Sequence, residues 1–234
     1  MLAALALTGC ETSAGKSAKL EREAKAHSSA IPAARGLSIG RVSSKIEVLA
    51  SALVHGNEGV AAVVTLRNRS ATALRDIPIE LTVRDAHGAA LYTNTAGGLA
   101  RNLTSVSYLP AHGELAWVDD QVSGAGSPSS ATARVGEGTA ATGVIPALGT
   151  EGMHPFEDPT NGMGAEGNLV NRSGLAQKDL VVFVLARRAG AVVAAGRAVV
   201  PLAAPGVPTR FQAFLIGNPQ GAQLQASAPP TTFR

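Results

Sequence analysis

The chain has 234 residues, enough for one large or two small domains, and 45% of them are hydrophobic but only 3% aromatic, so a core must be built from Val, Leu, Ile and Ala. A single cysteine excludes an intrachain disulfide and a cysteine-based zinc site. The net charge of +3 is concentrated in residues 11–45, with seven Lys and Arg against three Glu, which leaves thirteen cations against fourteen anions elsewhere and argues against a nucleic-acid partner.

The first segment is apolar and uncharged and runs into Leu7-Thr8-Gly9-Cys10. This resembles the lipobox of bacterial lipoproteins, in which signal peptidase cuts before the cysteine and its sulfur carries a diacylglyceryl group. The resemblance implies an exported protein of the cell envelope, anchored to a membrane by lipid on Cys10. Residues 1–9 would then be a signal peptide truncated at its N-terminus, because a secretory signal carries a positive region ahead of its apolar run and Met1–Leu7 has none. Two or more acyl chains hold a protein stably on a bilayer, at about 0.8 kcal/mol per buried CH₂.

Residues 10–43 read as a flexible or partly helical tether. Ala14 to His27 is built of helix formers, and Glu21 precedes Lys25 in the favourable i,i+4 order. Leu20 is the lone large apolar residue there, so such a helix has no face to bury. Beside an anionic membrane, each Lys or Arg of the tether adds about 1 kcal/mol of attraction.

From Ser44 the pattern becomes short β-type runs. Ile77, Ile79, Leu81 and Val83 alternate with Pro78, Glu80, Thr82 and Arg84, the period of a half-buried strand. A turn at Asp85–Gly88 and a return strand from Ala89 follow, then a strand over Leu115–Val118. Ser123–Ser130, rich in Gly, Ser and Pro, reads as a linker. Further on, residues 180–204 are apolar enough to suggest a membrane span. Arg187 and Arg188 sit inside the run, however, and charges there are costly, so the segment reads better as a β-hairpin turning at 187–190.

The second half repeats the first. Asn68-Arg69-Ser70 matches Asn171-Arg172-Ser173 at an offset of 103 residues. The same offset pairs Asp76 with Asp179, Ile77 with Leu180, Ile79 with Val182 and Leu81 with Val184. Trp117 and Phe211 hold matching places in the last aromatic strand, each after a glycine, Gly113 or Gly206. Many short strands with turns every 8–12 residues predict an all-β chain of two tandem immunoglobulin-like β-sandwiches. The expected boundaries are 44–122 for the first, 123–130 for the linker and 131–234 for the second, and the two are expected to melt separately. Trp117 and Phe211 are expected to pack on the inward-facing alternating sets.

In order and wording the units resemble the FxLyD-type domains of bacterial envelope lipoproteins. Those show a strand ending in Asn, a Val/Leu strand, Asp or Gly turns, and a Pro-Gly step before an aromatic strand. The second unit matches with Asn171, Gly190, Gly196, Gly206 and Phe211, whereas the first carries Trp117 in place of the Phe. The resemblance implies an envelope module without a common activity, and it brings no catalytic residues.

Candidate sites are few. Asn68 and Asn171, at equivalent repeat positions, read as Asx turns between strands, although they and Asn102 also fit a glycosylation acceptor pattern. The histidines at 27, 55, 87, 112 and 154 make no close pair, and no nucleophile elbow or phosphate-binding glycine loop occurs. Val64 follows Val48 by 16 positions and in the apparent counterpart Gly167 follows Val135 by 32, so about 16 residues look inserted around Gly149–Gly164. That predicted loop, 149–166, holds Glu151, Met153, His154, Glu157, Asp158 and Met163. His154, Glu157 and Asp158 could hold a divalent cation, or Met153, His154 and Met163 copper, if they converged; an ordinary contact loop is the stronger reading.

The sequence therefore predicts a non-enzymatic, lipid-anchored envelope protein without a cofactor. Its partner would be another envelope protein or a surface polymer. The alternative is a metal-handling or hydrolytic envelope protein that uses the 149–166 loop.

Overall fold

The computed structural model describes residues 36–234; residues 1–9, expected as a signal segment, Cys10 and the expected tether through residue 35 lie outside the described residues. The described part is all-β apart from one short 3-10 turn at Arg101–Leu103. The last part of the predicted tether belongs to the folded body. Ile39 is buried, Val42 bridges to Gly136, and the Ser43 N–H donates to the Val135 carbonyl at 2.9 Å.

The first repeat opens with the antiparallel hairpin β1 (Ile46–Gly56) and β2 (Gly59–Asn68), and β2 pairs on its other side with β6 (Glu114–Val122). Opposite them lies β3 (Leu74–Arg84). It pairs with β5 (Ser105–Leu109) and β8 (Thr139–Ala140) through its first half, and with β4 (Ala90–Thr93) and β7 (Ser130–Val135) through its second. Ile77, Ile79, Leu81 and Val83 are all fully buried, as strand alternation requires, and share one core with the buried Trp117.

The second repeat has the same plan. Its hairpin is β9 (Leu148–Asp158) with β10 (Gly162–Asn171), and its central strand is β11 (Gln177–Arg188). β12 (Ala191–Ala203), β13 (Thr209–Gly217) and β14 (Gln223–Ser227) complete a sheet in the order β14-β11-β12-β13-β10-β9. The β11–β12 turn falls at Ala189 and Gly190, both left-handed at φ 49° and 83°, the two-residue turn that suits a twisted hairpin. Val64 faces Trp117 across β2 and β6, and Gly167, 103 residues after Val64, faces Phe211 across β10 and β13. The two aromatics are thus equivalent by register. Phe211 shares a second core with Leu180, Val182 and Val184.

Three expectations are corrected. The segment 131–140 belongs to the first sandwich, because β7 and β8 pair with β3 just as β14 pairs with β11. Residues 123–129 are accordingly a connection between β6 and β7, both of which pair with strands of the first repeat. The insertion disappears as well. The hairpin of β9 and β10 is the counterpart of β1 and β2, so 149–166 is two paired strands rather than a loop, and the extra length is β7, β8 and the link after them. Finally, the two sandwiches are not joined by a bare linker. The alternate residues of β11, Val181, Phe183 and Leu185, are buried in the core of the first sandwich. β11 is covered on both faces, which is why its sequence reads as an unbroken apolar run.

Two aspartates show why the repeat keeps them. Asp76 and Asp179 both take left-handed backbone conformations, φ 54° and 47°, within β3 and β11. Asp is among the few residues that accept this region cheaply, since its short polar side chain offsets the strain locally.

Candidate functional site: the cleft between the sandwiches

The two repeats differ most where β3 meets its neighbour. In the second repeat, β12 runs along nearly the whole of β11. In the first, the equivalent strand is broken into β4 and β5 by an excursion through residues 94–104. Asn94 makes the break tolerable. It is fully buried, its Oδ1 accepts from the Leu81 N–H at 2.7 Å, and its Nδ2 donates to the carbonyls of Ile79 and Leu103 at 2.9 and 2.6 Å. The side chain fills the ladder positions that the excursion vacates, which removes the cost of unpaired buried peptide groups.

The excursion brings Arg101 and Asn102 to the second sandwich and forms one wall of a cleft of about 530 Å³. Asp76 stands on that wall, Lys178 and Asp179 stand across from it, and Val181, Phe183 and Val199 supply apolar surface. The repeat-related aspartates thus meet at one cleft. Arg101 donates to Asp76 Oδ1 at 2.8 Å, and the Arg75 Nε lies 3.8 Å from the other oxygen.

Asn102 ties this wall to both sandwiches. Its carbonyl accepts from the Trp117 indole N–H at 3.0 Å, and its Oδ1 accepts from an Arg197 Nη at 2.6 Å. Arg197, on β12, also donates through Nε to Asp120 Oδ1 at 2.6 Å and through its backbone N–H to Asp120 Oδ2 at 3.2 Å. The pair is largely out of solvent, with 7% of the Arg197 side chain and 19% of the Asp120 side chain exposed. Next to it Asp119 is fully buried, accepting from the Tyr92 hydroxyl at 2.8 Å and the Gln121 N–H at 2.9 Å. Burial raises the Asp119 carboxyl above its ordinary range, and burial together with the Asp119 charge raises the Tyr92 phenol.

The C-terminal segment also spans the junction. Gln177, fully buried, accepts from the N–H groups of Thr231 and Thr232 at 2.9 and 3.1 Å, and the Thr231 hydroxyl donates to the Lys178 carbonyl at 2.6 Å. On the first sandwich, the Ser107 hydroxyl donates to the Pro229 carbonyl at 3.2 Å, and Phe233 packs on Tyr108 with ring centroids 5.7 Å apart. Residues 229–233 therefore bridge β5 and β11.

The site residues expected from sequence land elsewhere. Asn68 and Asn171 are both fully buried and make the same four bonds. In each, Oδ1 accepts from the backbone N–H and the hydroxyl of the serine two residues on, while Nδ2 donates to two carbonyls, Thr72 and Pro110 or Leu175 and Ala203. They are turn staples, and Trp117 and Phe211 are core. Cys10 lies outside the described residues.

The proposed cation set does not form. Strand alternation along β9 puts Glu157 on the face opposite His154 and Asp158. Asp158 caps the turn, accepting from Thr160 and Asn161 N–H groups at 2.8 Å, and these bonds hold its carboxyl below the ordinary range. His154 sits 2.9 Å from the Gly152 carbonyl and 2.9 Å from Glu166 Oε1. The first contact and then the Glu166 carboxylate raise its pKa, while Arg210 and Gln212 hold Glu166 low. Among the described residues, no three His, Cys, Asp or Glu side chains gather as a metal site.

The junction residues Asn94, Asp119, Asp120 and Arg197 escaped the sequence reading. A signal existed: Asp119 and Asp120 are adjacent in a strand, so one of them must face inward, and Arg197 interrupts an apolar strand.

No family model matches the chain, and no curated protein matches it. Solved structures of Amycolatopsis orientalis exo-chitosanase CsxA share weak similarity. A complex of one variant with PNP-beta-D-glucosamine has 16% identity and a TM-score of 0.27, and a crystal structure of the enzyme has 14% and 0.24. Each alignment covers 76% of this chain and 25% of the enzyme, so the chain spans about a quarter of the length of the proteins it matches. Likeness at this level assigns neither activity nor ligand to the chain.

Proposed function

We propose that this chain is a lipid-anchored protein of the bacterial cell envelope that acts as a non-enzymatic binding module. In this reading Cys10 carries the lipid, the basic tether lies along the membrane surface, and the paired sandwiches present the cleft to an envelope protein or a surface polymer. The observation that carries the binding role is the cleft, walled by both repeats and braced by the Arg197–Asp120–Asn102 bonds. A preformed concave site at a junction of two domains is the usual place for a ligand. The Leu7-Thr8-Gly9-Cys10 run supports the anchor. Among the described residues no helix is long and apolar enough to cross a membrane.

The test is fractionation of cells that carry the gene at its native locus with its own upstream sequence, with and without Cys10→Ala, combined with mass spectrometry of the N-terminal peptide. Wild type should pellet with membranes and carry acyl mass on Cys10, and the variant should be released. Equal solubility of the two forms would refute the anchor.

A further inference from the structure

We infer that the cleft binds a neutral oligosaccharide of two or three rings. The inference rests on the binding-module reading and names the ligand class for that same cleft. Its volume, about 530 Å³, lies within the range of small-molecule sites, about 300–1,000 Å³. Its charges cancel. Arg101 and Lys178 face Asp76 and Asp179, so an anionic ligand meets two carboxylates and a cationic ligand meets two cations. What suits such a rim is a molecule without net charge whose every polar group can both give and accept a hydrogen bond. Carboxylates only accept, and guanidinium and ammonium groups only donate. A sugar hydroxyl can donate to an aspartate and accept from Arg101 or Lys178 at once, and bonds to charged groups are the stronger kind.

Part of the lining is apolar. Val199 is 49% exposed, and the buried Val181 and Phe183 line the cleft with it. A pyranose ring offers a C–H face to such a surface while its rim hydroxyls point to the polar wall. An extended peptide is the less favoured guest, because residues 229–231 already hold the Ser107 hydroxyl, the Lys178 carbonyl and the Gln177 amide oxygen between β5 and β11.

Trp117 gives a readout. It is the chain's only tryptophan, and its indole is bonded to Asn102, which lines the cleft. Purified full chain in detergent is titrated with maltotriose, cellotriose and N,N′-diacetylchitobiose, and separately with triglycine, while Trp117 emission is followed. At least one saccharide should give a saturable change with a Kd of about 1 mM or tighter. Val199→Arg, at an exposed position, should fill the cleft and weaken that binding about tenfold or more. Asp179→Asn, which keeps a residue that tolerates the left-handed backbone, should weaken it severalfold without lowering the melting temperature. Absence of a saturable response to all three saccharides up to about 10 mM overturns the inference. So does saturation by triglycine alone. Saccharide binding that Val199→Arg leaves intact places the sugar elsewhere and overturns the cleft assignment, while the binding-module reading survives. Membrane retention through Cys10 is scored independently of all these outcomes.

Discussion

The junction between the sandwiches sets a sharp energetic test at Arg197. Replacing Arg197 with Met keeps most of the volume but leaves Asp120 with only the backbone N–H of position 197 and the Asn102 amide oxygen without its donor. Breaking one partner of a buried ion pair costs about 3–5 kcal/mol, because the other charge stays in place uncompensated. Asp120 retains 19% exposure of its side chain, so the lower end, about 3 kcal/mol, is expected. For a domain of this size each kcal/mol moves the melting temperature by about 2–4 °C, which puts the loss at roughly 6–12 °C. The double variant Arg197→Met/Asp120→Leu removes both charges together and should recover much of that loss. The assay is urea and thermal unfolding read in parallel by Trp117 fluorescence, which reports the first sandwich, and by far-UV circular dichroism, which reports both. Because Val181, Phe183 and Leu185 are shared with the first core, the two probes should trace one transition in the wild type. A loss below about 1 kcal/mol, the level of a solvated surface pair, would refute the reasoning. Two separated transitions would instead restore independent domains.

Three further outcomes follow from the same contacts. Asn171→Ala should cost about 2–3 kcal/mol in urea unfolding, since it removes a side-chain donor from the buried Ala203 carbonyl and the acceptor of the Ser173 N–H and hydroxyl, and Asn68→Ala, which loses the equivalent bonds, should cost as much; a loss of a few tenths would show that water replaces the side chain. Tyr92→Phe removes one of the two donors to buried Asp119 and raises that carboxyl further. A raised acid favours the fold at pH values below its unfolded pKa and disfavours it as pH climbs, so the variant's loss should be larger at pH 7 than at pH 4, and equal losses would contradict the assignment. The raised His154 pKa has the same sign: its contribution is full below the unfolded value, near 6.5, and fades as pH rises through the higher folded value. An NMR titration should place His154 above the ordinary histidine value, and Glu166→Gln should bring it down.

The alternating set of β3, the hairpin that turns at Ala189 and Gly190, and the Asn, Asp and aromatic pairs of the repeat were all legible from the residues, because strand period and turn chemistry are local properties. The Asx turns at Asn68 and Asn171 were legible too, since such a turn is made by neighbours in sequence, whereas their burial depends on the strands packed around them. The strand partners were not legible. β7 was read as the start of the second sandwich, and β9 as part of a loop, because a short polar strand differs from a loop only through the strand it pairs with. Nor did anything local reveal that β11 is covered on both faces or that Arg197 reaches Asp120, 77 residues away. Sequence by itself determined an all-β repeat built around Asn68, Asn171, Trp117 and Phe211. Tertiary structure decided where one sandwich ends, and it separated His154 from Glu157. It also created a cleft where Asp76 and Asp179 meet, because packing one repeat on the other depends on contacts between residues far apart in the chain.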